Sequence, residues 1–524
     1  MTVFVPTTSD TLSGVRHTLT TTDRLLINAG ISVGSTNSLV IDASGVGSSV
    51  FIAGTAFGAG SGGAVQIAMG TIEVGQTGTV YSSASGGNGA VLLSAGASLT
   101  NDGTIAASQG LGVILTDADT NAFNSGRISG GNGGVFMGLF DNDNQQLTNT
   151  GSISSGVRVD QGLRFGHGVQ IEGDFATMNN AGDIRAIAPG KAGVHLSGFV
   201  PEEVASGVRI SNAGTIDSLL GWGVDAFDNL TAGFTLVNSG TIGGGAGAIR
   251  GTAGVDTITN AGVITGNVSL GLSNDRFRGD AGTSAETVYG GAGTDSVVGG
   301  AFDDIFYGGS GVDTLLGGAG DDRLYGGTGG DDLFGGAGDD TMSGGAGNDD
   351  DRINALSDVV SEGAGASNGT ADRIFSSTIS VNLNLYRNVE GATLTGIAAL
   401  NLTGTAGANT LIGNAAANLL SGGVGRDTLT GGVGHDTFVF SSAADTGVSS
   451  GSRDSITDFA VGVDDLRMIF MASYIGAANF TAAGQVRYVA ATGVLSGSTD
   501  GDVAAEWTLQ MATGLALTSG DFVF

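Results

Sequence analysis

Between residues 290 and 352 one nine-residue phrase recurs seven times without a gap. It first reads Gly290-Gly291-Ala292-Gly293-Thr294-Asp295-Ser296-Val297-Val298 and restarts at Gly299, Gly308, Gly317, Gly326, Gly335 and Gly344. The sixth position is always Asp: Asp295, Asp304, Asp313, Asp322, Asp331, Asp340 and Asp349. The eighth is apolar in Val297, Phe306, Leu315, Leu324, Leu333 and Met342; Asp351 replaces it in the last copy, where the run is expected to end. Glycine-rich stretches turn tightly through positive φ angles, and the closing three residues suit a short strand with one inward side chain. Two phrases per coil would stack Asp295, Asp313, Asp331 and Asp349 along one edge, with Asp304, Asp322 and Asp340 along the other. Such stacked carboxylates repel unless a hard cation lies between them. Calcium, with six to eight oxygen ligands in loose geometry, suits that cage better than octahedral magnesium. A disordered Gly/Asp linker would match the composition, but not seven copies in strict register.

A glycine- and aspartate-bearing nonapeptide is a signature of calcium-binding parallel β-solenoids, and on these residues the chain resembles the RTX family of secreted bacterial proteins. The resemblance implies several bound Ca2+ ions and an extracellular location.

Charge agrees with a cation partner. The 524 residues carry 50 acidic and 19 basic side chains, a net charge of −31. Nucleic acid and anionic membrane are therefore poor partners and divalent cations good ones. The 98 Gly and 3 Pro follow no collagen-like period, which favours stacked turns. Cys is absent, so calcium is expected to supply the cross-linking that disulfides give many exported proteins. No apolar run has the length of a membrane span. The start, Met1-Thr2-Val3-Phe4-Val5-Pro6, lacks a basic and then apolar signal peptide, so an export signal is expected elsewhere.

A looser repeat occupies residues 1–265. Its anchor is Asn-x-Gly-x-Ile, beginning at Asn101, Asn124, Asn149, Asn180, Asn212, Asn238 and Asn260. Gly-Val steps follow at Gly112, Gly134, Gly168, Gly193 and Gly223. A period of this length, built of short β-type runs, predicts coils of a right-handed parallel β-helix. Asn suits the corners and can hydrogen-bond along the axis. Wide spacings predict loops such as Phe140–Asn144 and Pro201–Glu203. Residues 1–100 are less regular, with Leu26–Ile31 as an earlier coil. This half resembles the passenger β-helices of bacterial surface proteins and adhesins.

The two patterns merge after Val263, where Asp275 and Phe277 take the sixth and eighth places of an early nonapeptide; Glu286 replaces Asp in the next. Residues 266–352 form the first roll and 353–402 a degenerate β linker. Residues 403–440 form a second, short roll. Its sixth positions are Asn409, Asn418, Asp427 and Asp436, so one or two ions are expected near the two aspartates. Residues 441–524 resemble the C-terminal module of the serralysin-type family in Asp454–Phe459, Gly462–Leu466 and Asp521–Phe524. That resemblance implies a β cap and an uncleaved signal for a type I secretion exporter.

Serralysins join this module to a zinc protease. Here His17, His167, His195 and His435 lie far apart and none sits in His-Glu-x-x-His, so no protease is expected. A polysaccharide lyase or mannuronan C5-epimerase on the β-helix is the enzyme alternative, with Arg164, His167, Glu172, Asp174 and His195 as candidates; an Asp-Pro-His-Glu type motif is absent. The expected fold is all-β: a right-handed parallel β-helix continuing into a calcium-bound β-roll with a C-terminal β cap. The expected function is structural or adhesive, at the cell surface or in the extracellular matrix, without catalysis. Self-assembly and cell-surface polysaccharide both stay open as partners. The expected metal ligands are Asp275, Asp295, Asp304, Asp313, Asp322, Asp331, Asp340, Asp349, Asp427 and Asp436.

Overall fold

The structure is a computed structural model and describes residues 3–6, 10–12, 17–20, 23–35, 40–43, 45–59, 63–83, 89–138, 144–155, 167–172, 176–197, 207–228, 232–279, 287–363, 369–500, 502 and 504–524. The described residues form short strands and three single-turn 3-10 helices. No helix among them is long and apolar enough to cross a membrane. The chain divides into two compact units, residues 1–307 and 308–524.

In the first unit, three strands per coil build three parallel faces. One coil runs Ser98–Asn101, Thr104–Ala107 and Leu111–Leu115; the next runs Asn121–Asn124, Arg127–Gly130 and Gly133–Met137, in register with it. Inward side chains therefore stack in columns, as Leu99, Ala122, Leu147, Met178, Ile210, Leu236 and Ile258 do on the first face.

Each letter of Asn-x-Gly-x-Ile has a physical cause. The Asn closes the first face and is buried, and its amide donates to the Asn one coil on: Asn149 Nδ2 to Asn180 Oδ1 at 2.8 Å, Asn180 to Asn212 and Asn212 to Asn238 at 2.7 Å. The Gly turns the corner with no room for a side chain: a Cβ on Gly182 would lie 2.0 Å from the Gly151 carbonyl oxygen of the coil before. The Ile enters the core, and Ile128, Ile184 and Ile242 are fully buried.

The loops expected at Phe140–Asn144 and Pro201–Glu203 lie, apart from Asn144, outside the described residues. Coils already form before Asn101. Arg24–Ile27 pairs with Ser49–Ile52, which pairs with Thr71–Val74. These early coils place Ile27, Ile52 and Val74 where Asn101 stands in the later register, and with Leu25, Val50 and Ile72 they are buried.

The second face ends with the strand Val263–Thr265. Beyond it the coil shortens to two strands: Val268–Leu272 pairs with Val288–Ala292, and Arg276–Arg278 with Ser296–Val298. The nonapeptide supplies one turn and one strand, so two copies complete a flattened coil and no residues are left for a third side.

The second unit has the same two-sided form. One side runs through Thr314–Ala319, Asp332–Ala337, Asp350–Ile353, Arg373–Ser376, Gly391–Leu394, Thr410–Ile412, Thr428–Thr430 and Asp454–Ile456, all parallel. The nonapeptide phrase fails at Asp351, but the ladder does not stop there: Asp351 pairs in register between Leu333 and Ile374, and the ladder passes on to Gly391–Leu394 and Thr410–Ile412. It persists because acidic-x-apolar triplets survive where the glycines do not.

The antiparallel strands Gln485–Val489, Val494–Ser498 and Trp507–Gln510 join the end of this ladder, with Trp507 fully buried. They close an edge that would otherwise be open to pairing. Phe522–Val523 adds to the other side, beside Asp465–Met468.

Candidate metal centre

All ten expected ligands are buried, from 0 % exposure at Asp313 to 5 % at Asp304. The turns carry these aspartates inward rather than into solvent, and the strand that follows each turn fixes them there. Along one edge of the second unit the Asp313 N–H donates to Asp331 Oδ1, and the Asp331 N–H to Asp349 Oδ1, both at 2.8 Å. Along the other edge the Asp322 N–H donates to Asp340 Oδ1 at 3.0 Å. Asp256, Asp275 and Asp295 form the same ladder in the first unit. Each carboxylate thus holds the preceding coil through one oxygen. This coil-to-coil bond, independent of any ion, was not anticipated from the repeat pattern.

The second oxygen shows whether a cation fits. Oδ2 of Asp275, Asp331, Asp340, Asp349, Asp427 and Asp436 is buried and receives no hydrogen bond among the described residues. A buried carboxylate oxygen left this way is costly without compensation. The phrase's opening glycine makes room for that oxygen: a Cβ on Gly335 would sit 2.3 Å from Asp340 Oδ2. The next residue, Gly336, has φ +108, so the turn backbone itself favours glycine.

Electrostatics points the same way. Burial, reinforced by neighbouring carboxylates, raises Asp275 to about 8 and Asp331 to about 7. Burial raises Asp304, Asp349 and Asp427 to about 6, and Asp340 and Asp436 upward as well. Burial and mutual repulsion of these carboxylates would be relieved by a positive charge between them, and oxygen-only donors suit a hard cation.

Asp304 is arranged differently, its Oδ2 accepting from the Gly300 N–H of its own turn at 3.1 Å. In the second roll the neutral substitutes do what an aspartate cannot. Asn409 Nδ2 donates to the Glu390 carbonyl at 3.2 Å and Asn418 Nδ2 to Leu400 at 2.8 Å. They bridge to the coil behind without a cation. Asp427 and Asp436 have no such donor.

Sequence reasoning missed six members of these ladders: Asp256, Asp358, Asp372, Glu390, Asp454 and Asp464. Asp358 accepts from Asp340, Asp372 from Asp349, Glu390 from Asp372, Asp454 from Asp427 and Asp464 from Asp436. The available signal was an acidic residue two before an apolar one, without the Gly-Gly pair that opens the nonapeptide. Glu286 lies outside the described residues. Asp500, Asp502 and Glu506 also converge, but at the surface, with backbone N–H groups already bonded to each.

Of the residues considered for catalysis, two come together. Arg164 and Asp174 lie outside the described residues. Glu172 is held by Gln170 Nε2 at 2.6 Å and by the Ser197 hydroxyl at 3.2 Å. His167 and His195 meet as a stacked pair, centroids 4.1 Å apart, with His195 Nδ1 3.7 Å from Asp225. Arg250 grips Asp225 with two hydrogen bonds of 2.7 and 2.8 Å. Burial, then the stacked His195, holds His167 well below the usual histidine range. Burial opposes ionisation of Asp225, but His195 and Arg250 outweigh it and keep its carboxyl below the ordinary range. Asp225 and Arg250 were also missed; Asp225, like His195, directly follows a Gly-Val step.

Comparison with known families agrees with the ladders. The family described as the RTX calcium-binding nonapeptide repeat (4 copies) matches residues 289–324, 316–351 and 403–438. No curated protein matches the chain. The chain therefore carries RTX calcium-binding repeats and binds Ca2+ at several of them.

Proposed function

We propose that this protein is a secreted, calcium-loaded β-solenoid with a structural or adhesive role at the cell surface or in the extracellular matrix, and that calcium met after type I export drives its folding. The observation that carries this reading is the series of buried, unbonded Oδ2 atoms on Asp275, Asp331, Asp340, Asp349, Asp427 and Asp436. Without calcium these carboxylates oppose coiling; with it they join consecutive coils. We assign the ions to the ten expected aspartates, with the glycine-turn carbonyls as co-ligands. Affinities of about 10⁻⁴–10⁻³ M, usual for extracellular modules, would leave the acidic tract uncoiled in the cytosol and coiled outside.

Two further features support export and adhesion. Phe522, in the stretch that resembles a type I signal, is buried beside Leu466 and stacks on Tyr474 at 4.6 Å. An exporter would read that stretch before the last coil forms. On the first unit Tyr289 and Tyr307 stack at 5.1 Å and stay partly exposed, a flat aromatic surface of the kind sugar rings lie on.

The test is a calcium titration of the purified full chain, followed by circular dichroism and light scattering. Parallel-β signal should rise at millimolar calcium, with ordered assemblies or polysaccharide binding following. Full β content in chelator, unchanged by calcium, would overturn the folding reading.

The meeting of His167, His195 and Asp225 favours a second reading, modification of a uronate polymer. Ultraviolet absorbance from unsaturated uronate, abolished by His195→Ala, would support a lyase. No change in any uronate polymer would remove enzyme chemistry of this class.

A further inference from the structure

On the second face of the β-helix one outward column runs Arg185, Asp217, Gly243 and Thr265, each a coil beyond the last. Gly243 leaves a gap in it. The gap opens into a notch of about 360 Å³, flanked along the strands by Thr215 and Thr241 on one side and by the half-exposed Leu219 on the other. Sites for small ligands commonly measure about 300–1,000 Å³.

Nothing in the backbone asks for glycine at this position. A Cβ on Gly243 would meet only the Thr265 Cβ and carbonyl oxygen at 3.6 Å and Asp217 Oδ1 at 3.9 Å, all ordinary contacts, and its φ lies outside the left-handed region. Gly244 and Gly245 differ, since a Cβ there would meet carbonyl oxygens at 2.5 and 2.4 Å. Gly243 also sits within the strand Thr241–Gly244, where a glycine weakens pairing and marks a place that another group approaches closely. The missing side chain is therefore room kept open, not room the fold lacks.

Asp217 and Thr265 stand at the two ends of the gap, two coils apart, about 10 Å at the usual strand spacing. Asp217 pairs with Arg185 at 3.5 Å, and both side chains keep solvent access, 38 % and 55 %. The pair offsets its own charge. It leaves guanidinium donors, carboxylate acceptors and threonine hydroxyls around a smooth glycine floor with one aliphatic wall. A pyranose ring has the matching surfaces, hydroxyls at its rim and an apolar C–H face. A uronate would meet the Asp217 carboxylate, and a metal ion would find one carboxylate where calcium takes six to eight oxygens. A basic peptide would have to displace Arg185. We propose that this notch binds one neutral sugar unit of a polysaccharide, with Asp217, Arg185 and Thr265 bonding its hydroxyls and Leu219 against its C–H face. The site rests on the adhesive reading above and gives its polysaccharide partner a chemical class and a place on the first unit.

The test is affinity electrophoresis of the full-length protein in saturating calcium, through gels containing dextran, mannan, galactan or polygalacturonate. At least one neutral polymer should retard the wild type, with little dependence on salt. Gly243→Val, which fills the gap without displacing backbone, and Asp217→Ala should each bind about tenfold more weakly. Their calcium-dependent circular dichroism should match wild type. Asp217→Ala, at the surface, keeps the test open should Gly243→Val fail to fold. Unchanged retardation in the folded variants, or retardation by polygalacturonate alone, overturns the notch and leaves a polysaccharide partner standing. A polylysine complex in place of any sugar polymer, lost with Asp217→Ala, overturns it in favour of a basic peptide. Retardation by none of the polymers overturns the notch and the polysaccharide partner together.

Discussion

The backbone N–H of Asp331 donates to Oδ1 of Asp349, one coil further on, at 2.8 Å, while Oδ2 of the same Asp349 is buried without a donor. One side chain thus divides its work. One oxygen sets the register between coils, and the other waits for a cation. Asp340 and Asp427 share this division.

Asp340→Asn should keep the register and weaken the ion. The amide oxygen can still accept from Asp322, but the ligand charge falls by one. The calcium midpoint of folding should rise about tenfold, since ligand charge tunes affinity in such sites. Asp340→Ala, which also removes the acceptor, should cost more. Calcium titrations followed by circular dichroism give both midpoints; equal effects would show that Oδ1 carries no part of the stability.

Acid should partly replace calcium. Folding lifts Asp349 to about 6, Asp331 to about 7 and Asp275 to about 8, above an unfolded value of about 4. A carboxyl raised by folding stabilises the fold below its unfolded pKa, and that contribution fades as pH rises through the folded pKa. In chelator, the folded fraction should therefore fall between about pH 4 and pH 8. A fraction that climbs with pH in chelator contradicts these assignments.

Asn180→Ala tests the other ladder. It removes the donor to Asn212 Oδ1 and the acceptor for Asn149 Nδ2. Buried groups left partly unbonded cost about 1–3 kcal/mol. Denaturant unfolding in saturating calcium should show that loss, with the calcium midpoint little changed.

Gly182→Ala should be worse than its size suggests, because the new methyl would meet the Gly151 carbonyl oxygen at 2.0 Å. Backbone must move, at about 1–3 kcal/mol or more. Gly190→Ala is the comparison, since its Cβ would meet nothing within 4 Å and only its φ of +67 opposes a side chain. Thermal unfolding of the two variants should rank Gly182→Ala as the less stable.

Periodicity alone determined the all-β solenoid class, the inward eighth position and the two edges on which the aspartates stack. A strict repeat admits few ways to bury one apolar side chain per nine residues. The Asn-x-Gly-x-Ile anchor likewise disclosed its axial amide ladder, because identical residues at identical places in successive coils must face each other. What the tertiary structure decided lies where spacing is irregular. Asp372, Asp454 and Asp464 join the ladders across gaps of 23 to 28 residues that no period announces. Asp351 reads as a broken repeat in one dimension, yet stacking holds it in register between Leu333 and Ile374. His195 and Asp225 are 30 residues apart in sequence, and stacked coils place them 3.7 Å apart. Local pattern governs what each coil is made of; loop lengths between coils govern which unlike residues meet, and those lengths carry no signal until the chain is wound.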